Sequence, residues 1–222
     1  MHFLPFSLRV IPRTLQFKQP AGTSRGVYYN RKVWYILLTS SDPQLHFTGL
    51  GECAPLYDLS CDYDEHYEQR LRDICREVEQ TQNLDSNRLR PYPSILFGLQ
   101  SAFRSAAGSL AGDYLKLYPS AFTKGEKGIP INGLVWMGSY EEMCQRMEQK
   151  LEQGFRCVKL KIGAIDFDSE MALIKRLRQR YSADTVELRV DANGGFTPQD
   201  APQKLNELAR YNIHSIEQPI RQ

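Results

Sequence analysis

Cys157-Val158-Lys159-Leu160-Lys161-Ile162 and Val186-Glu187-Leu188-Arg189-Val190-Asp191 decide the fold. In both stretches apolar and charged residues alternate, the pattern of a strand with one buried and one polar face. A helical pattern follows each: Met171, Ile174, Leu177 and Tyr181 after the first, Leu205 and Leu208 after the second. The second helix is opened by Thr197-Pro198-Gln199-Asp200, read with Thr197 as N-cap and Pro198 at the first helical position. Strand-like runs also begin near Ile131 and Ile213, and Met143, Met147 and Leu151, ending at Gly154, form the helix between the first two runs. The four runs start near residues 131, 157, 186 and 213, spacings of 26, 29 and 27. A repeating βα unit makes a parallel sheet. A period near 27 fits an eight-stranded (β/α) barrel, in which about 250 residues divide into eight units of roughly 31. A doubly wound open sheet is the alternative, although its Gly-x-Gly-x-x-Gly turn is absent. Four units go only halfway round a barrel and leave open edges at both ends, so the chain reads as the N-terminal part of a larger polypeptide.

Upstream of this repeat the grammar differs. Ser7 to Ile11, Lys32 to Thr39 and His46 to Cys53 are strand-like runs of a meander, and Lys18 to Gly26, with Pro20, Gly22 and Gly26, reads as a flexible loop between the first two. Tyr63, Tyr67, Leu71, Ile74 and Val78, then Ile95, Leu99, Ala102, Phe103 and Ala106, recur at helical spacing. Strands followed by helices predict an α+β domain over residues 1–125, with the (β/α) barrel domain over 126–222.

The 222 residues are 41% hydrophobic and 24% charged, the composition of a folded globular chain. Lys plus Arg number 28 against 26 Asp plus Glu, a net charge of +2 with no block of like charge, so neither nucleic acid nor an anionic membrane is the expected partner. A small molecule is. The N-terminus lacks the basic region of a signal peptide, and no run approaches the ~20 apolar residues of a membrane helix. Five cysteines, Cys53, Cys61, Cys75, Cys144 and Cys157, with no Cys-x-x-Cys pair, suit reduced thiols filling the core of a cytoplasmic protein.

The strand ends carry the chemistry. In a barrel Val158, Leu160 and Ile162 would meet the helices, turning Lys159 and Lys161 inward, where desolvation and mutual repulsion lower a lysine pKa toward the range of a useful base. The equally plain reading is an edge strand whose lysines are solvated. Asp191 ends the next strand and Glu217 the fourth; each alone could be a turn or surface carboxylate. Together with the lysine pair they end three successive parallel strands, where barrel enzymes place catalytic groups. Oxygen-only ligation by two carboxylates suits Mg²⁺ better than Zn²⁺, for which no Cys/His set is at hand. His214 is expected to face the helices as a packed histidine, and Glu52, in Gly49 to Pro55 where glycines mark a tight strand end, to be structural.

Gly51-Glu52-Cys53-Ala54-Pro55, Lys159-x-Lys161, Asp191-Ala192-Asn193 and Glu217-Gln218-Pro219, in that order, resemble the enolase superfamily and its muconate lactonizing subgroup. The resemblance implies an α+β capping domain followed by a modified (β/α)₇β barrel, of which about the first four βα units are present. Ile131 to Gly138 and Gly154 to Gln218 look more narrowly like the o-succinylbenzoate synthases, lyases of menaquinone biosynthesis. That family implies syn-dehydration of 2-succinyl-6-hydroxy-2,4-cyclohexadiene-1-carboxylate through a metal-stabilised enediolate. Carried over residue by residue, Asp191 and Glu217 would be two Mg²⁺ ligands, with Mn²⁺ able to substitute, and Lys161 the base. Lys159 would sit against the substrate carboxylate and help lower the pKa of Lys161. Arg25, in the capping loop Gln19 to Gly26, and Asn193 would be substrate contacts. The third carboxylate ligand and an opposite-face lysine belong to strands beyond Gln222. Asp191 to Phe196 is shared with dipeptide epimerases and N-succinylamino acid racemases, which stay open as alternatives, as does an inactive half-barrel fragment.

Overall fold

The computed structural model describes residues 5–23, 26–112 and 118–221. The chain divides into two compact units, residues 1–20 with 28–128 and residues 21–27 with 129–222.

The first unit holds, apart from residues 21–27, a three-stranded sheet ordered β1 (Phe6–Thr23), β2 (Gly26–Ser40), β3 (Thr48–Cys53), followed by helices α1 (Tyr67–Thr81) and α2 (Pro93–Leu110). Of the Lys18 to Gly26 segment, expected to be an irregular loop, the described residues are instead strand: β1 continues through Thr23 and β2 begins at Gly26. Pro12 and Pro20 argue against a central strand, but β1 lies at the sheet's edge, where a residue without an N–H is tolerated. Trp34, Ile36 and Leu38 of β2 are buried in alternation, against Leu71 and Ile74 of α1 and Ile95, Leu99 and Ala102 of α2. β2 and β3 pair antiparallel, Trp34 opposite Cys53 and Tyr35 opposite Glu52. β3 is the other edge, and α2 lies directly on it. A Cβ on Gly49 or Gly51 would run into the backbone carbonyls of Ala102 and Gly98, so both glycines are set by this close approach. The hydroxyls of Ser105 and Ser109 accept the N–H groups of Leu50 (3.0 Å) and Thr48 (3.1 Å), which satisfies edge donors that would otherwise lie buried beneath a helix.

The second unit is an α/β layer. Four parallel strands, β4 (Gly133–Val135), β5 (Cys157–Lys161), β6 (Glu187–Asp191) and β7 (Ser215–Glu217), lie in chain order, alternating with α3 (Tyr140–Glu152), α4 (Phe167–Arg180) and α5 (Ala201–Ala209). Sequential order with a helix in every crossover is the topology of a partial barrel. The strands near 131 and 213 are shorter than expected, and Ile131 is exposed. Val158, Leu160, Ile162, Val186, Leu188 and Val190 are fully buried together with Met143, Met147, Leu173, Ile174 and Leu177 of the helices.

α3 starts in a capping box, Ser139 with Glu142, and the Asp166 side chain caps α4 at the N–H of Ser169. At the third helix the Thr197 hydroxyl does accept the Asp200 N–H (3.2 Å), while Asp200 returns a carboxylate to the Thr197 N–H (2.8 Å). Regular helix nevertheless begins only at Ala201, with Pro202 in its first turn.

His214 is exposed, its Nδ1 against the Ser215 hydroxyl at 3.0 Å, so the packed-histidine expectation fails: β7 carries too little helix against that face to bury an imidazole. All five cysteines are free, but only Cys53 and Cys75 are buried; Cys61 is exposed and Cys144 and Cys157 are half-buried, so most do not fill the core. Among the described residues no helix is long and apolar enough to cross a membrane.

Candidate active site

Register brings the predicted strand-end residues into a single row. Lys161 of β5 is opposite Asp191 of β6, which is opposite Glu217 of β7; one step down, Lys159 is level with Arg189 and Ser215. Because side chains alternate, all six stand on the sheet face away from the helices. This decides between the two readings of the lysine pair. They are not solvated edge residues: β5 is flanked by β4 and β6, and the side chains of Lys159 and Lys161 are only 21% and 16% exposed.

Asp191 is the hub, fully buried. Its Oδ2 accepts from Lys161 Nζ at 2.7 Å and Lys159 Nζ at 3.1 Å, and its Oδ1 from the Asn193 N–H at 3.0 Å. Burial alone would raise the pKa of this carboxyl, but the two ammonium groups and the Asn193 N–H outweigh it and hold the pKa below the usual aspartate value. Glu217 is the exposed member, its side chain 63% accessible, with Oε2 at 2.6 Å from Lys159 Nζ. Lys159 therefore bridges both carboxylates. Burial pulls its pKa down, yet Glu217 and Asp191 prevail and raise it, so Lys159 is held as the cation. The carboxylates, invisible to an argument made from one strand, decide the sign.

Asn193 sits at φ 47°, left-handed, and turns its Oδ1 to Lys161 Nζ at 2.9 Å. The Lys161 ammonium also lies 5.7 Å from the ring centroid of Trp136, one residue beyond β4. Neither contact is visible in the single-strand pattern, although Trp136 stands one residue past a strand end, where such a contact could be sought. Arg25 lies outside the described residues.

The loops past these strands are stitched to one another. Ile162 N–H donates to Asp191 O (2.8 Å), Ala192 N–H to Glu217 O (3.1 Å), Gly194 N–H to Gln218 O (2.7 Å) and Phe196 N–H to Pro219 O (2.9 Å). Arg146 of α3 donates to the carbonyls of Trp136 (3.1 Å) and Met137 (2.7 Å). Glu170 of α4, 2% exposed, accepts from the N–H groups of Gly163 (2.6 Å) and Ala164 (3.2 Å). It was missed from sequence, because an acidic residue in a helix's first turn ordinarily faces water.

Among the described residues no three Asp, Glu, His or Cys side chains converge as a metal cluster. The donor set still fits a hard divalent cation, since Mg²⁺ keeps several waters and takes one or two carboxylates. Asp191 and Glu217 are neighbouring hard oxygen donors already bridged by one positive charge, that of Lys159.

Residues 142–222 match the family model described as enolase C-terminal domain-like. The o-succinylbenzoate synthase of Desulfotalea psychrophila is 38% identical over 94% of this chain and 63% of its own length. The chain resembles o-succinylbenzoate synthase of the enolase superfamily. A solved o-succinylbenzoate synthase from Thermosynechococcus elongatus, described as complexed with Mg in the active site, superposes with a TM-score of 0.69 at 25% identity, over 98% of this chain and 62% of that one. The L-Ala-D/L-Glu epimerase of Bacillus subtilis is 36% identical over 78% of this chain and 49% of its own length. The chain thus spans 63%, 62% and 49% of these three proteins.

Proposed function

We propose that this chain contributes the capping domain (residues 1–125) and the first four barrel units (126–222) of an o-succinylbenzoate synthase with a modified (β/α)₇β barrel, a cytoplasmic lyase of menaquinone biosynthesis. The observation that carries this is the row Lys161–Asp191–Glu217 at the C-terminal ends of three parallel strands, with Lys159 beside it. The substrate is 2-succinyl-6-hydroxy-2,4-cyclohexadiene-1-carboxylate.

Lys161 Nζ is the base that takes the proton α to the carboxylate. The same nitrogen then returns that proton to the departing hydroxyl on the same face, so one C–H and one C–O bond break, water leaves and the ring becomes aromatic. Asp191 and Asn193 fix the Lys161 nitrogen through its two hydrogen bonds. Lys159, kept cationic by its carboxylate partners, is placed to meet the substrate carboxylate. Asp191 and Glu217 would hold Mg²⁺, or Mn²⁺ in its place, which when bound supplies positive charge to the doubly negative species formed on deprotonation. The Trp136 ring offers a flat apolar wall beside the reacting nitrogen.

The epimerase among the relatives supports a second reading, in which Lys161 works on one face of an α-carbon and another base on the opposite face. The two separate in D₂O. The full-length polypeptide is incubated with the cyclohexadiene substrate and, separately, with dipeptides and N-succinylamino acids. A higher kcat/KM for dehydration upholds the synthase; a higher value for dipeptide epimerisation, with deuterium entering the α position, replaces it.

A further inference from the structure

We propose that Glu170 is a positioning residue for Lys161: from the far side of the sheet it fixes the two turns that together hold the Lys161 ammonium. Its consequence for catalysis rests on the function proposed above.

Glu170 is the charged side chain of α4 turned fully inward, and its Oε1 accepts the N–H groups of Gly163 (2.6 Å) and Ala164 (3.2 Å). These N–H groups belong to the turn that leaves β5 two and three residues past Lys161. Bonds of N–H to a carboxylate are about twice as strong as neutral ones, so the turn is held at a definite distance from the helix.

The turn is also wedged on its other side. Gly163 is left-handed, φ 87°, and a Cβ there would lie 2.7 Å from Ala192 O and 3.2 Å from Gly195 Cα. A Cβ on Gly195 would in turn meet Gly163 Cα at 2.9 Å. The β5 turn therefore abuts the Ala192–Gly195 turn backbone to backbone. That second turn carries Asn193, whose Oδ1 accepts Lys161 Nζ at 2.9 Å. Glu170 grips the first turn, the first turn props the second, and Lys161 is tied to both, through its own strand and through Asn193. Release of the grip lets both turns move, and a displacement near 1 Å can cost about 10²-fold in rate.

The experiment compares Glu170→Ala, Glu170→Gln and Glu170→Asp in the full-length polypeptide. Alanine should lower kcat about 10- to 100-fold with KM changed by less than about threefold. Glutamine keeps an acceptor oxygen at the same reach and should recover most of kcat. Aspartate keeps the charge but falls short by one methylene, and should lose kcat more than glutamine does. Amide hydrogen exchange gives a readout independent of turnover: alanine should accelerate exchange at 163–164 and also at 192–195, while α3 is unchanged. A lowered Tm with unaltered kcat, a glutamine variant as poor as alanine, or acceleration at 163–164 that does not spread to 192–195 would each overturn the assignment. If wild type epimerises dipeptides instead, the same variants are read on α-proton exchange, where Lys161 has the same task. If wild type turns over neither substrate, the functional proposal fails by itself and the exchange pattern alone decides the role of Glu170.

Discussion

Replacement of Lys161 by alanine should separate chemistry from folding, because the structure gives the two effects different sizes. The lysine makes hydrogen bonds to Asp191 Oδ2 at 2.7 Å and Asn193 Oδ1 at 2.9 Å from a side chain 16% exposed. Removing one partner of a buried ion pair costs about 3–5 kcal/mol when a charge is stranded. Asp191 is not stranded, since Lys159 stays at 3.1 Å and the Asn193 N–H at 3.0 Å. The loss is then nearer that of one charged hydrogen bond, roughly 2 kcal/mol. At about 2–4 °C per kcal/mol for 150–250 residues, and less for a longer chain, Tm of the full-length polypeptide should fall by no more than roughly 4–8 °C. Turnover should fall far more, by about 10²–10⁴, the worth of a positioned acid–base group, or roughly 2.7–5.5 kcal/mol of barrier. Both are measured on one preparation of the full-length polypeptide, kcat from formation of the aromatic product and Tm by circular dichroism. Lys161→Arg sharpens the comparison: it keeps a cation against Asp191, so Tm should hardly move, yet a guanidinium gives up no proton and kcat should fall as far as with alanine. Near-normal turnover by the arginine variant, or a loss below about tenfold with alanine, refutes Lys161 as the base.

Asp191→Asn and Glu217→Gln should each weaken Mg²⁺ binding by the full-length polypeptide, read by calorimetry, and activity should vanish with EDTA and return with Mg²⁺ or Mn²⁺; full activity in a chelated sample sinks the metal assignment. Burial raises the pKa of Glu170, ahead of the backbone N–H bonds that lower it, so the native state binds its proton more tightly than the unfolded state does. Stability from this group is present below about pH 4.5 and is lost as pH rises through the elevated folded value. Glu170→Gln, which cannot ionise, should therefore gain Tm relative to wild type as pH climbs from about 4 to 7; a gap that stays flat or moves the other way contradicts the burial argument. Gly51→Ala should destabilise the first unit by roughly 3 kcal/mol, because the new Cβ meets the Gly98 carbonyl and backbone cannot swing aside; an unchanged denaturation midpoint would show that α2 does not lie so close to β3.

What the sequence disclosed and what it hid follow from the range of the interactions involved. The alternation in 157–162 and 186–191 has a period of two residues, and the hydrophobic repeat of each helix three or four, so both can be read within one element. The burial of Val158, Leu160, Val190 and their partners, and with it the face on which Lys159, Lys161 and Asp191 stand, was legible for that reason. The start of β1, Ser7 to Ile11, was legible in the same way; its continuation to Thr23 was not, because Pro20 removes a donor only where a neighbour needs one, and an edge strand has a side with no neighbour. His214 fails similarly: its alternation is correct, but the amount of helix above β7 is not written in β7.

The charged site shows the same division more sharply. From the Lys-x-Lys doublet alone, desolvation and mutual repulsion should bring one of the two lysines toward the pKa of a useful base. Register adds what the doublet lacks: the step that aligns Lys161 with Asp191 and Asp191 with Glu217 interleaves cations with carboxylates across three strands, and Lys159 ends with its pKa raised. Register depends on how β5, β6 and β7 slide against one another, and that is set by the turns beyond them. Those turns are fixed by Glu170 and by the bonds from Ala192, Gly194 and Phe196 to Glu217, Gln218 and Pro219. Each of these joins segments whose spacing no local pattern records. A sequence can therefore name the residues of such a site well before it gives their charge states, because identity is local and protonation is decided by whatever the fold brings alongside. Glu170 is the extreme case, a carboxylate whose significance lies in the backbone N–H groups of the turn after another element.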